Sequence, residues 1–161
     1  LETLIRKRDL SLGDALSLGE DILCALKACE AHSILHRDIK PDNLFYTPQG
    51  NFMLGDFGIA RELKENSLSL SHRGTDTYMA PEVYQGKDYS YNADIYSLGI
   101  VLYKLFNNNR LPFLGQGKLT AADLEKAFQK RQTGEKLPIP INASEEMFGI
   151  CLLYTSPSPR D

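Results

Sequence analysis

Apolar residues recur at three- and four-residue spacing along two long stretches of the chain, and each stretch predicts a helix with a buried face. In the first, Ala15, Leu18, Ile22, Ala25, Leu26 and Cys29 follow Ser11. Asp14 and Glu20 lie towards its start, where the helix dipole favours acids. In the second, from Ala93 to Phe106, Ile95, Leu98, Gly99, Leu102 and Leu105 predict a helix buried on most sides, ended by Asn107-Asn108-Asn109. Leu1 to Arg8 predicts a short amphipathic helix with Leu1, Leu4 and Ile5 on one face. Thr120, with Asp123 three residues later, makes a capping-box-like start for a helix from Ala121 to Thr133. Pro138 and Pro140 break the chain before a last short helix near Ser144.

Between the two long helices the period is lost. Leu44-Phe45-Tyr46 and Phe52-Met53-Leu54 flank the turn cluster Thr47 to Asn51, which predicts a small hairpin. Leu63 to His72 is polar and Ser-rich, a loop. No internal repeat is present.

Composition narrows the class of molecule. With 161 residues, 42% apolar and 24% charged, the chain has the make-up of one soluble globular domain. Eighteen basic residues against 21 acidic ones leave a net charge of −3, which argues against nucleic acid as a partner. Cys24, Cys29 and Cys151 are too few for a disulfide framework and point to a reducing, cytoplasmic setting. Cys24 and Cys29 are expected to pack in the first long helix. No run of about 18 apolar residues marks a membrane segment, although a longer parent could carry an anchor elsewhere. The first residue is Leu, which suggests a start inside a longer protein.

Three polar clusters carry the chemistry. They are His36-Arg37-Asp38-Ile39-Lys40-Pro41-Asp42-Asn43, then Asp56-Phe57-Gly58, then Gly74-Thr75 followed by Tyr78-Met79-Ala80-Pro81-Glu82. Any one Asp or Asn in such places is ordinarily a turn residue or a helix cap. Together they can do more. Asp38, Lys40 and Asn43 can converge a carboxylate, an ammonium and an amide, and a hairpin can return Asp56 to the same point. Two carboxylates and an amide oxygen form a hard-oxygen set suited to Mg²⁺, which shares phosphate ligands and keeps several waters.

In this order the clusters resemble the catalytic loop, metal-binding tripeptide and activation-segment end of the eukaryotic-type protein kinases, and among them the serine/threonine kinases. Leu54 to Arg61 and Asp94-Ile95-Tyr96-Ser97-Leu98-Gly99 look most like the bacterial members. The resemblance covers Leu1 to Ile150. It implies a protein kinase-like fold, the mainly α-helical C-terminal lobe with short β-hairpins, the β-rich N-terminal lobe being missing. No G-x-G-x-x-G loop and no strand Lys of that lobe occur in the sequence. The parent is expected to transfer the ATP γ-phosphoryl group to Ser or Thr of protein substrates, itself included, with Mg²⁺ or Mn²⁺. The severed lobe is expected to be inactive.

The resemblance also implies roles. Asp38 orients the attacking hydroxyl, Lys40 neutralises the transferring phosphoryl group, and Asn43 and Asp56 hold the metal. Phe45 floors the adenine, and Gly58 frees the backbone beside Asp56. His36 and Phe57 pack in an interlobe stack. Thr75 bonds toward Asp38, and Lys40 with Thr75 favours Ser/Thr substrates. Arg37 is the receiver for a phosphate on the activation loop, for which Ser67, Ser69, Ser71, Thr75 and Thr77 are candidates. Asp94 bonds backbone amides of the catalytic loop. In the family an Arg beyond the helix near Ser144 pairs with the Glu of Ala-Pro-Glu, so Glu82 is expected to lack its partner.

Residues 151–161 fit neither a kinase helix nor a natural continuation, and read as a translated sequencing adapter. Two rivals stand beside the kinase reading. A small-molecule phosphotransferase shares the Asp-x-x-x-x-Asn loop but not the Ala-Pro-Glu segment. A pseudokinase or interaction module is disfavoured by intact Asp38, Lys40, Asn43 and Asp56.

Overall fold

Ser11 opens the longest helix with a capping box. Its hydroxyl accepts from the Asp14 amide at 3.1 Å, and the Asp14 carboxylate accepts from the Ser11 amide at 2.9 Å. The computed structural model describes residues 1–7, 10–57, 76–86, 90–145 and 147–149. Its helices are α1 (Glu2–Lys7), α2 (Leu12–Ala31), α3 (Pro81–Tyr84), α4 (Tyr91–Phe106) and α5 (Ala121–Gln132). Strands β1 (Leu44–Tyr46) and β2 (Phe52–Leu54) pair antiparallel, with Leu44 opposite Leu54 and Tyr46 opposite Phe52.

Helix α4 is the axis of the core. Ala93, Leu98, Ile100, Val101, Leu102 and Tyr103 are all buried, a span too wide for one helical face. Helix α2 lays Leu18, Ile22 and Leu26 against it, and at Gly19 the backbone comes close to Leu102. Cys29 joins that buried face, but Cys24 is exposed, contrary to expectation. It stands two residues from Ile22 and so falls off the three- and four-residue stripe. The hairpin hangs on α2 through the Phe52 amide, which donates to Asp21 at 2.8 Å.

The far end of α4 is closed by Asn107, which is buried. Its side chain donates to the Arg110 carbonyl at 3.1 Å and accepts from the Ile141 amide at 3.2 Å. Near Ser144 the chain turns helical again, the Phe148 amide donating to the Ser144 carbonyl at 2.9 Å. Thr120 and Asp123 cap α5 reciprocally, with the Asp123 amide donating to the Thr120 hydroxyl at 3.2 Å. The expected Ser-rich loop from Leu63 to His72 and the tail 151–161 lie outside the described residues.

Candidate active site

The segment from α2 to the hairpin is held from below. Asp94, in the first turn of α4 and 1% exposed, accepts from the His36 amide at 2.9 Å and from the Arg37 amide at 2.9 Å. A buried carboxylate is costly without such partners, and here it fixes the backbone two residues before Asp38. Arg37 itself is half-buried and has a left-handed φ of 68°, a conformation non-glycine residues avoid unless the surroundings impose it.

His36 is fully buried and links both arms of the site. Its Nδ1 accepts from the Asp38 amide at 3.3 Å, and its Nε2 lies 3.0 Å from the Gly55 carbonyl. An acceptor at Nδ1 and a carbonyl at Nε2 require the tautomer protonated on Nε2. The Phe57 ring stands 4.9 Å from the imidazole in a tilted contact.

Asp38, Lys40 and Asn43 do converge. One carboxylate oxygen of Asp38, Oδ2, accepts from Lys40 Nζ at 2.9 Å and from Asn43 Nδ2 at 3.0 Å. Asn43 Nδ2 also donates to the Asp38 carbonyl at 2.8 Å. The other oxygen, Oδ1, is buried and has no hydrogen-bond partner among the described residues. A buried acceptor left unpaired costs about 1–3 kcal/mol, and such groups mark places where a ligand completes the structure.

The hairpin delivers the second half. The Gly55 amide donates to the Asn43 carbonyl at 3.0 Å, so Asp56 follows directly on a backbone tied to Asn43. Asp56 is exposed and, like Arg37, has a left-handed φ, 55°. Phe45, 51% exposed on β1, lies over Gly55: a Cβ there would meet its Cε2 at 2.7 Å. Sequence reasoning did not single out Gly55 as a site residue. Its position just before Asp-Phe-Gly was the available signal.

The third cluster enters through a 3₁₀ turn, Asp76–Tyr78, which contains Thr77. Ser97 Oγ of α4 lies 2.9 Å from the Tyr78 carbonyl, and the Tyr78 hydroxyl receives Lys104 Nζ at 3.2 Å. Lys104 also reaches Glu2 at 3.2 Å. Burial works against the Lys104 charge, but Tyr78 and Glu2 outweigh it and hold its pKa above the ordinary lysine value. Glu82 is half-buried on α3 and makes no ion pair among the described residues. Gly58, Ser67, Ser69, Ser71 and Thr75 lie outside the described residues.

The residues fit a divalent cation with a nucleotide. Both side-chain bonds of Asn43 are donated by its nitrogen, which leaves the amide oxygen for a ligand. The Asp56 carboxylate is exposed, one residue after the Gly55 amide that bonds the Asn43 carbonyl. Among the described residues no three His, Cys, Asp or Glu side chains gather into a metal cage. Mg²⁺ does not require one, because phosphate oxygens and water fill its remaining positions. Also among the described residues, no helix is long and apolar enough to cross a membrane.

Comparison with known proteins agrees with this arrangement. A family model described as a protein kinase domain matches residues 1–160. A serine/threonine-protein kinase of Arabidopsis thaliana, AtPK1/AtPK6, is 37% identical over 143 residues, 87% of this chain and 29% of the relative. The probable serine/threonine-protein kinase PknB of Lactococcus lactis is 34% identical over 140 residues, 86% of this chain and 21% of the relative. PknA of Mycobacterium tuberculosis is 40% identical over 121 residues, 74% of this chain and 28% of the relative. The chain thus spans less than a third of the length of these curated relatives.

Proposed function

The chain belongs to the protein kinase family, and on that premise we propose that it is the helical lower lobe of a kinase that phosphorylates Ser and Thr hydroxyls of proteins. The observation that carries this reading is the divided carboxylate of Asp38. One oxygen is held by Lys40 and Asn43, and the other is buried and, among the described residues, unpaired. A substrate hydroxyl placed against Oδ1 satisfies that oxygen, is aimed by it, and can pass its proton to it as the phosphoryl group transfers. Little basicity is needed, because the transition state is loose. Lys40, two residues on, presents its ammonium to the transferring group.

Asn43 and Asp56 are the residues that would hold Mg²⁺, or Mn²⁺ in its place. The bound ion supplies charge neutralisation on the nucleotide phosphates. Phe45 offers an exposed ring where an adenine can lie. Arg37 and the serines 67, 69 and 71, with Thr75 and Thr77, form the regulatory part of the proposal: a phosphate on that stretch would find a guanidinium beside the catalytic loop. Proteins, this kinase included, are the proposed substrates. Lacking a Gly-rich loop, residues 1–150 alone should transfer little or no phosphate, and residues 151–161 are read as foreign to the domain.

Phosphate transfer from labelled ATP to a protein substrate by the full-length kinase tests the reading. Asp38→Asn should cut kcat by about 10²–10⁴ with the melting temperature unchanged. Turnover undiminished in that variant would remove Asp38 from the chemistry and the reading with it.

A further inference from the structure

The chain between α4 and α5 folds back against α5 and leaves a cavity of about 310 Å³, none of whose lining residues belongs to the candidate active site. Its turn is pinned by Arg110, whose guanidinium donates to the Gly115 carbonyl. Phe113, in the lining, has a left-handed φ of 67°, which a bulky residue adopts only where its surroundings impose it. Lys130 of α5 lies 5.1 Å from the centre of that ring, and the buried Ala127 lines the cavity one turn earlier.

The charge on the lining is one-sided. Lys118, Lys126 and Lys130 stand against a single acid, Asp123, a balance of +2 in a chain of net charge −3. The Asp123 carboxylate is committed to the start of α5, where it accepts from the Thr120 amide and hydroxyl. Those bonds, and after them the charge of Lys126, hold its pKa below the ordinary value. Lys130 is engaged by Glu135 at 2.8 Å. Lys118 and Lys126 are exposed, and among the described residues neither makes an ion pair or a side-chain hydrogen bond. Two uncommitted ammonium groups on one concave surface favour an anion there.

We propose that this cavity docks a protein segment already phosphorylated on Ser or Thr, its phosphate held by Lys118 and Lys126. A phosphoserine carries about −1.5 to −2 charge at neutral pH, which matches the two uncommitted ammonium groups, whereas a carboxylate brings only one charge to them. Lysine binds phosphate as a point charge and needs no fixed fork geometry. The apolar part of the lining, Phe113 and Ala127, gives the flanking residues of the segment a surface to rest on. That the docked protein is a substrate rests on the kinase reading, whereas the binding itself does not. On that reading, one phosphate on a protein recruits the kinase for the next.

Binding to the full-length kinase without ATP tests the site. The probe is a fluorescent peptide of alanines and glycines with one central phosphoserine, followed by anisotropy. It should bind about tenfold or more tightly than the same peptide with serine, and more weakly as salt rises. Lys118→Gln combined with Lys126→Gln should abolish that preference at an unchanged melting temperature, because both side chains are exposed. Equal binding of the two peptides, or a preference that survives the double variant, would overturn the proposal. A peptide with glutamate in place of phosphoserine that binds as tightly would show that the cavity reads acidity and not phosphate. Inorganic phosphate that displaces the probe at the probe's own Kd would reduce the site to one for the free ion. In transfer assays, kcat/KM should be severalfold higher for a protein that carries a phosphoserine than for its unphosphorylated form. The double variant should lose that difference and keep its rate on the unphosphorylated form; equal values in the parent kinase would refute the recruiting role. No transfer at all, with phosphopeptide binding intact, would refute the kinase reading and leave the docking site standing.

Discussion

Asp94 reaches across 58 residues of sequence to hold His36, its carboxylate 2.9 Å from the His36 amide and equally close to the next amide along. The start of the segment from His36 to Asn43 is therefore held by a helix that is synthesised after it. Removing the carboxylate strips two amides, one buried and one half-buried, of their acceptor at once. Asp94→Ala should cost about 3 kcal/mol, and Asp94→Asn, which keeps one acceptor oxygen, roughly half of that. Hydrogen exchange on the full-length kinase should rise from His36 to Asn43. Unchanged protection there would show that the loop holds its own conformation.

Lys40 should separate stability from activity. Its ion pair with Asp38 is partly exposed, the two side chains being 21% and 16% accessible, and pairs of that kind contribute little to folding. Lys40→Met should move the unfolding free energy by less than about 1 kcal/mol. Phosphate transfer should nevertheless fall by about 10²–10³, the range for losing one preorganised charge at a reacting centre. Comparable losses in melting and turnover would mean that Lys40 is a structural residue.

Gly55 is where the ring of Phe45 meets the backbone, and a methyl group there collides with it at 2.7 Å. Phe45 is half-exposed and can swing outward, so Gly55→Ala should cost only about 1 kcal/mol. The displaced ring should raise KM for ATP severalfold while leaving KM for the protein substrate alone. Identical ATP affinity in the variant would take Phe45 out of the nucleotide site.

Acid should weaken the start of α5. The Asp123 carboxylate accepts from the Thr120 amide at 2.9 Å and from its hydroxyl at 2.7 Å, and these bonds hold its pKa below the usual carboxylate value. A depressed pKa means stability that is present above the unfolded value and lost as pH falls through the folded one. Asp123→Asn should melt earlier than the parent at pH 7, and the two curves should converge below about pH 4. A gap of constant size across that range would assign the cap to geometry alone.

Much of this was legible in the sequence, for reasons that differ between elements. Helices α2 and α4 were readable because their buried positions repeat, and α5 because Thr120 and Asp123 announce its cap. The hairpin was readable from its turn cluster. Helix α3 was not, since four residues cannot display a period. The convergence of Asp38, Lys40 and Asn43 was foreseeable because they lie within six residues on one loop. The lysine cavity was not foreseeable: Lys118, Lys126 and Lys130 look like solvated charges in the sequence, and only the turn at Phe113 brings them around one space.

The order of Asp94 and His36 along the chain also bears on synthesis. A ribosome adding roughly 5–20 residues per second needs about 3–12 s to travel from one to the other, and longer before α4 clears the exit tunnel. Throughout that interval the two amides have water but not the Asp94 carboxylate as acceptor, so the segment from His36 onward cannot yet take its final shape. Chains stalled short of α4 should accordingly be cut by protease between α2 and the hairpin, and chains stalled well beyond it should resist. The central helix of the core thus sets when a segment encoded before it can settle.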